Sequence, residues 1–312
     1  MPNRIAVYGH RGWVGSAIVR SLSQSPAVVK VLYRPGSNAQ GLPSNVTAVQ
    51  VDITDEEALV AALRDVDILI SLVGHSAIEF QHNLIRAIPK TNVQLFVPSD
   101  LAVRYSGQGL GIELINAKIK VEEAAERLGV PTTVVLTGNF AEFALDTLAM
   151  GVDCRHNRII FTGNSASQPL NLCTREYVAA AFASIFSTTL IPQLQNRTLS
   201  LSELKPTGDE IAQALTQRFG ATPAKFTVPL GEVTCRVDAM IEANNPLALA
   251  WYTRKNWGNG DQLKFLGSDI WEVDGYDKKS IEDLVVAGKL GEYRAMPEQI
   301  TSIFESEFLN CQ

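Results

Sequence analysis

Gly9, Gly12 and Gly15 stand three residues apart in the segment GHRGWVGS, and Lys118 stands among apolar residues of a later helical pattern. Each suggests chemistry. A glycine-rich turn between a strand and a helix lets backbone N–H groups meet a phosphate at the helix N-terminus. In a dinucleotide fold one glycine permits the tight turn. A second lets the backbone approach the pyrophosphate, and a third lets helix and strand pack closely. The plain alternative is a tight turn without a ligand. A lysine beside such a site supplies a positive charge or a proton to a reacting group.

The second apolar segment ends in VLYR, with Arg34 where an acid would meet a ribose 2′-hydroxyl. An arginine there suits a 2′-phosphate. Arg11, inside the glycine loop, is a second candidate, and both point to NADP(H). Asp52 is placed either near the adenine or as a helix cap ahead of TDEEAL.

Lys118 needs a register check. Over GIELINAKIKVEEAAERLG the helical period puts Leu114, Lys118, Val121, Ala125 and Leu128 on one stripe. Asn116, Lys120, Glu123 and Arg127 fall on the opposite one. Lys120 reads as a solvated charge. Lys118 faces inward, where an unpaired ammonium is costly, so it needs a carboxylate, a phosphate or a functional role. A partly desolvated lysine has a lowered pKa and can trade protons near neutrality. The alternative is a snorkelling side chain whose stem packs and whose head escapes.

Around these residues the first 150 positions alternate strand and helix patterns. The strands read RIAVYG, VVKVLYR, VTAVQVD, DILISLVG, VQLFVPSD and PTTVVLTGN, and they are continuously apolar. That is the pattern of an α/β protein with a parallel sheet covered on both faces. The expected organisation is a Rossmann-type, doubly wound, NADP-binding domain over 1–150 and a smaller substrate-binding lobe over 151–312. Some later segments are free to return to the main sheet. In the second part TREYVAAAFASIF, PTGDEIAQALTQRFG and SIEDLVVAGKLGEY read as helices, and KFTVPLGEV reads as a strand.

The bulk numbers exclude several classes. The 312 residues carry a net charge of −6, with 46% hydrophobic and 19% charged residues, a globular composition without a basic cluster. No nucleic-acid partner is expected. WYTRKNW reads as packing or a pocket wall. No apolar run approaches the ~18 residues of a membrane span, and four apolar residues before the first glycine are too few for a signal peptide. Cys154, Cys173, Cys235 and Cys311 are far apart, which suggests neither a metal site nor a disulfide framework. A cytoplasmic setting is the expectation, as monomer or homodimer.

The glycine spacing is shared with short-chain dehydrogenases, which carry Tyr-x-x-x-Lys on the helix that holds Lys118. Leu114 stands where that tyrosine would be, so the usual general acid is absent. Tyr105 and His75 are the candidate donors in its place. His10 is within reach of a phosphate, although a loop histidine is ordinarily exposed; His156 has no recognisable partner.

Several ordered segments resemble the NmrA-like and isoflavone reductase-like family of atypical short-chain reductases. They are GHRGWVGS, the VLYR arginine, DILISLVG, the glutamine of EFQHNLIRAI, LFVPSD, NAKIKVEEAAERLGVPTTVV and TGNFAEF. The resemblance covers roughly the first 150 residues. It implies that Gly9, Gly12, Trp13, Val14 and Gly15 hold the pyrophosphate and that Arg34, with Arg11, holds the 2′-phosphate. Ser71, Val73, Gly74 and Gln81 line the cofactor. Pro98, Ser99 and Asp100 border the nicotinamide, with Asn139 and Phe140 nearby. Lys118 orients the nicotinamide ribose and supplies or relays a proton. Two departures stand out: Asp100-Leu-Ala replaces the family's Glu-Phe-Gly, and Arg175-Glu176 replaces an aspartate. The implied function is an NADPH-dependent reductase acting on a secondary-metabolite-like aromatic or polyketide ketone or enone. The competing readings are a non-catalytic NADP(H) sensor that binds a protein partner, and a non-redox isomerase or dehydratase.

Overall fold

The structure, a computed structural model, describes residues 2–310. Strand β1 (Arg4–Tyr8) runs into the glycine loop and helix α1 (Trp13–Ser23), followed by β2 (Val28–Tyr33), β3 (Thr47–Gln50) and α2 (Glu56–Leu63). Next come β4 (Ile68–Ser71), α3 (Gln81–Ala87), β5 (Leu95–Val97), α4 (Glu113–Arg127) and β6 (Thr133–Leu136). The first five strands form one parallel sheet in the order β3-β2-β1-β4-β5. The order reverses at β1 and β4, and ligands of such sheets bind in the crevice outside the strand ends at that switch point.

The sheet extends further. Phe96 of β5 bridges Thr132 in parallel and donates its N–H to Pro131 O, 2.9 Å. After β7 (Asn139–Phe140), α5 (Ala141–Asp146), β8 (Val152–Asp153), β9 (Arg158–Thr162) and β10 (Leu172–Cys173) come α6 (Arg175–Phe186) and β11 (Arg197–Ser200). Strand β11 pairs in parallel with β6. Helix α6 packs Val178, Phe182 and Ile185 against Ile18, Val19 and Leu22 of α1 in one core layer. On the other face Leu59, Leu84, Val121 and Ala125 cover the sheet. Strands buried on both faces account for the continuous apolar runs.

The remainder of the chain contains α7 (Gly208–Phe219), β12 (Ala224–Val228), α8 (Leu230–Glu242), α9 (Ala248–Gly258), α10 (Asp261–Leu266) and α11 (Glu298–Asn310). Its small sheet orders β12-β9-β8. Helix α7 opens with a reciprocal cap between Thr207 and Glu210 and ends at Gly220 in the left-handed region, φ 67°.

Some sequence expectations change. SIEDLVVAGKLGEY is not a helix throughout: a single wide turn covers Glu282–Val286, and Gly288 at φ 67° ends it. The rest runs as an irregular strap. WYTRKNW is interior, with Trp251, Tyr252, Arg254 and Trp257 buried, so packing is the correct reading. The helix cap is Asp55, which accepts from Ala58 N–H; Asp52 instead closes a local turn onto Thr54 and is exposed. Leu128 is exposed at the helix end, outside the buried stripe. Cys311 lies outside the described residues. No helix among them is long and apolar enough to cross a membrane.

Candidate active site

The three glycines do different work. Gly9 sits at φ 101°, and a Cβ there would stand 2.4 Å from the Leu72 carbonyl oxygen after β4. A Cβ on Gly15 would stand 2.3 Å from the Gly9 carbonyl oxygen. The protein's own backbone demands both. A Cβ on Gly12 meets no atom closer than 3.5 Å, and the residue is exposed at the N-terminus of α1. Its open side leaves room for a ligand to approach the backbone.

Buried polar atoms without partners mark the same rim. Among the described residues His10 Nε2, Ser71 Oγ and Asn139 Nδ2 find no hydrogen-bond partner, although buried polar atoms ordinarily do. They follow β1, end β4 and follow β6. Together with Gly12 they fit an elongated polar group lying across the strand ends, as a dinucleotide does. His10 is only 6% exposed, which corrects the expectation of an exposed loop histidine. Burial, with the Arg11 charge, lowers its pKa, and a backbone hydrogen bond at Asn38 works against that.

Arg11 and Arg34 converge on one turn. Arg11 reaches Ser37 Oγ at 3.4 Å, and Ser37 N–H donates to Arg34 O. Both arginines are exposed. Gln81 is 1% exposed and engaged: it accepts the Ser99 N–H at 2.9 Å and donates to Ile78 O. Ser99 Oγ donates to Val73 O at 2.8 Å. These bonds clasp the loops after β4 and β5 and leave Gln81 little capacity for a ligand. Val73 and Pro98 are buried, Val14 is half-buried and Gly74 is exposed.

Lys118 is buried, and its Nζ donates to Asp100 Oδ1 at 2.8 Å. Burial alone would lower its pKa. The Asp100 charge and hydrogen bond, with Tyr105 and Glu122, outweigh burial and raise it. This overturns the expectation of a lysine trading protons near neutrality: the ammonium is retained because a carboxylate is buried with it. Tyr105 stands close by, and burial pushes its phenol up to about 12. His75 is exposed at the start of the turn after β4. Desolvation first, then the Lys118 and Arg294 charges, hold its imidazole down at about 4.

Aromatic side chains form the adjoining wall. The Trp13 ring lies edge-on to Phe140 at 5.1 Å and to Tyr293 at 4.9 Å, and Phe143 is 5.6 Å from Tyr293. Glu142, 3% exposed, accepts the Arg175 N–H at 3.0 Å. Burial pushes its carboxyl up to about 7; the Arg175 N–H works against this, and Glu203 and Glu176 add to it. Sequence reasoning missed Glu142 and the strap carrying Tyr293. The signal for Glu142 was a lone acid inside the small apolar run of NFAEFAL.

Fold and rim define a Rossmann-type α/β protein with a dinucleotide-type cleft. The NmrA-like family pattern matches residues 1–285, and the chain belongs to that family. Eugenol synthase 1 of Petunia hybrida is 24% identical over 292 residues, covering 85% of this chain and 89% of the relative. An isoflavone reductase homolog, P3, of Arabidopsis thaliana is 31% identical over 159 residues, covering 47% of this chain and 51% of the relative. That second match thus spans about half of either protein. The leucoanthocyanidin reductase–NADPH complex from Vitis vinifera superposes with a TM-score of 0.75 at 17% identity, covering 90% of this chain and 98% of that one. The AtPrR2 complex with NADP+ and (+)-pinoresinol also gives 0.75 at 17% identity, covering 92% and 99%. At such identity these likenesses show the fold.

Proposed function

We propose that the chain is an NADPH-dependent reductase of a small aromatic ketone or enone. The observation that carries this reading is the Lys118 ammonium, held by Asp100 at the β5 end beside the rim of unpartnered polar atoms. The names of the relatives support it: a eugenol synthase and an isoflavone reductase homolog by sequence, and reductases described with NADPH or NADP+ by fold.

In this reading the backbones of Gly9, Gly12, Trp13, Val14 and Gly15 hold the pyrophosphate, and Arg34 with Arg11 meets the 2′-phosphate. Asp52 lies on the adenine side. Ser71, Val73 and Gly74 line the cleft, and Gln81 keeps the Ser99 loop in place. Pro98, Ser99, Asn139 and Phe140 border the nicotinamide, which when bound supplies the hydride. Lys118 presents a fixed positive charge and an N–H donor to the substrate oxygen, where negative charge develops. Tyr105, neutral at physiological pH, is the adjacent proton donor. His75 is also neutral there and adds no competing charge. Trp13, Phe140, Phe143 and Tyr293 enclose an aromatic substrate, and the second lobe excludes water.

The test is NADPH consumption, with NADH alongside, against phenylpropanoid ketones and enones, for the wild type and Lys118→Ala. Turnover that prefers NADPH and collapses in the variant is expected. Full activity in the variant removes Lys118 from the chemistry. Tight NADP(H) binding without turnover on any of the compounds favours a sensor.

A further inference from the structure

We propose that Arg175 and Arg294 form a cationic pair that closes on the pyrophosphate of the bound dinucleotide, with Arg294 delivered by a C-terminal strap. This rests on the dinucleotide reading above and adds two residues and a moving element to it.

The strap begins after Gly288 and crosses the glycine loop. Trp13 Nε1 donates to Glu292 O at 3.0 Å, and the Tyr293 ring packs on the Trp13 indole. Helix α11 fixes the far end. Phe304 and Phe308 are buried, and Glu307 pairs with Arg236 and with the buried Arg254. Among the described residues no backbone N–H from 291 to 297 donates a hydrogen bond. The strap is therefore held down by side chains between two anchored ends, a segment that can open at low cost.

Arg175 lies against Trp13, the residue after Gly12, and Arg294 adjoins the Tyr293 ring that packs on the same indole. The Arg175 guanidinium lies 5.3 Å from the Trp13 ring, and its Nη2 donates to Ser16 Oγ of α1 at 2.8 Å. Its Nε is buried without a hydrogen-bond partner among the described residues. Arg294 lies beside Tyr293, 5.6 Å from that ring, on the exposed strap, and its charge acts on His75. Among the described residues neither guanidinium has a carboxylate oxygen within 4.0 Å, whereas most other arginines of the chain do. One of these cations contacts the first turn of α1 directly, and the other stands on the strap whose Glu292 and Tyr293 contact Trp13. A guanidinium fork matches phosphate oxygens.

The test measures NADP+ and NAD+ affinity by calorimetry for the wild type, Arg294→Ala, Arg175→Gln and Arg34→Ala, with unfolding of the free proteins as a check on folding. Both dinucleotides carry the pyrophosphate; only NADP+ carries the 2′-phosphate. Arg294→Ala and Arg175→Gln are expected to weaken both by the same factor, about tenfold or more, while Arg34→Ala weakens NADP+ selectively. Affinities within twofold of the wild type overturn the pair, and so does a loss confined to NADP+, which would place the arginines at the 2′-phosphate. A loss confined to 4-coumarate binding on the NADP+-loaded protein also overturns it and assigns Arg294 to a substrate carboxylate. A wild type that binds neither dinucleotide defeats the underlying reading, and the pair with it.

Discussion

Lys118 Nζ lies 2.8 Å from Asp100 Oδ1, with the two side chains 9% and 5% exposed. The pair joins the loop after β5 to α4 and keeps the lysine charged. Asp100→Asn leaves the ammonium buried without a counter-charge. We expect a loss of about 3–5 kcal/mol in urea unfolding at neutral pH. The sign with pH follows from the raised pKa of Lys118. The stabilisation is complete below the unfolded lysine value of about 10.4 and is lost as pH rises through the folded one. An Asp100→Asn variant as stable as the wild type at pH 7 would deny the pair its structural role.

Lys118→Ala tests the chemistry. Removing a fixed positive charge from the developing oxyanion should lower kcat by about 10²–10³. NADPH affinity should stay within about twofold, read by tryptophan fluorescence. A raised KM with unchanged kcat would instead make Lys118 a substrate-binding group.

Gly15 and Gly12 should respond oppositely. An alanine at Gly15 drives its Cβ into the Gly9 carbonyl oxygen, so stability should fall by about 1–3 kcal/mol. An alanine at Gly12 meets its neighbours only at ordinary van der Waals distance, 3.5 Å or more, so its cost should stay below about 1 kcal/mol. NADP+ affinity of the Gly12 variant should nevertheless fall at least tenfold, because the methyl group occupies the phosphate approach. Equal stability losses for the two variants would contradict this division.

Glu142 makes stability depend on pH. Its folded pKa of about 7 is raised above the unfolded value. The folded state therefore keeps a proton that the unfolded state has released, and stability falls as pH rises between about 4.5 and 7. The full effect is ~3 kcal/mol. Glu142→Gln should remove this slope, so the difference between variant and wild-type unfolding free energies should change across that range and level off above it. A difference curve that stays flat from pH 4.5 to 8 would show that Glu142 does not carry the shift.

Most of the sheet was legible in the chain itself. Continuous apolar strands alternating with one-sided helices allow little besides a parallel sheet covered on both faces. The glycine loop was legible in part because one constraint is local: Gly15 is required by the Gly9 carbonyl of the same β1–α1 turn, whereas Gly9 is required by the Leu72 backbone after β4, which the local pattern does not show. The inward direction of Lys118 followed from a period of 3.6 residues. The β6–β11 pairing was harder to read, because Arg197–Ser200 pairs with a strand more than sixty residues earlier.

Sequence alone, then, determined which faces are apolar, where a phosphate could meet backbone N–H groups, and that Lys118 needs a reason to be buried. Tertiary structure decided what that reason is. Asp100 lies on another element, and its charge reverses the pKa shift that burial alone would impose. Tertiary structure also brought Glu292 and Tyr293 to Trp13, across a separation of 279 residues between Trp13 and Glu292. Periodicity is a property of neighbouring residues and reports the side a residue faces. The partner it meets there is set by how distant segments pack, and a titrating group responds to that partner.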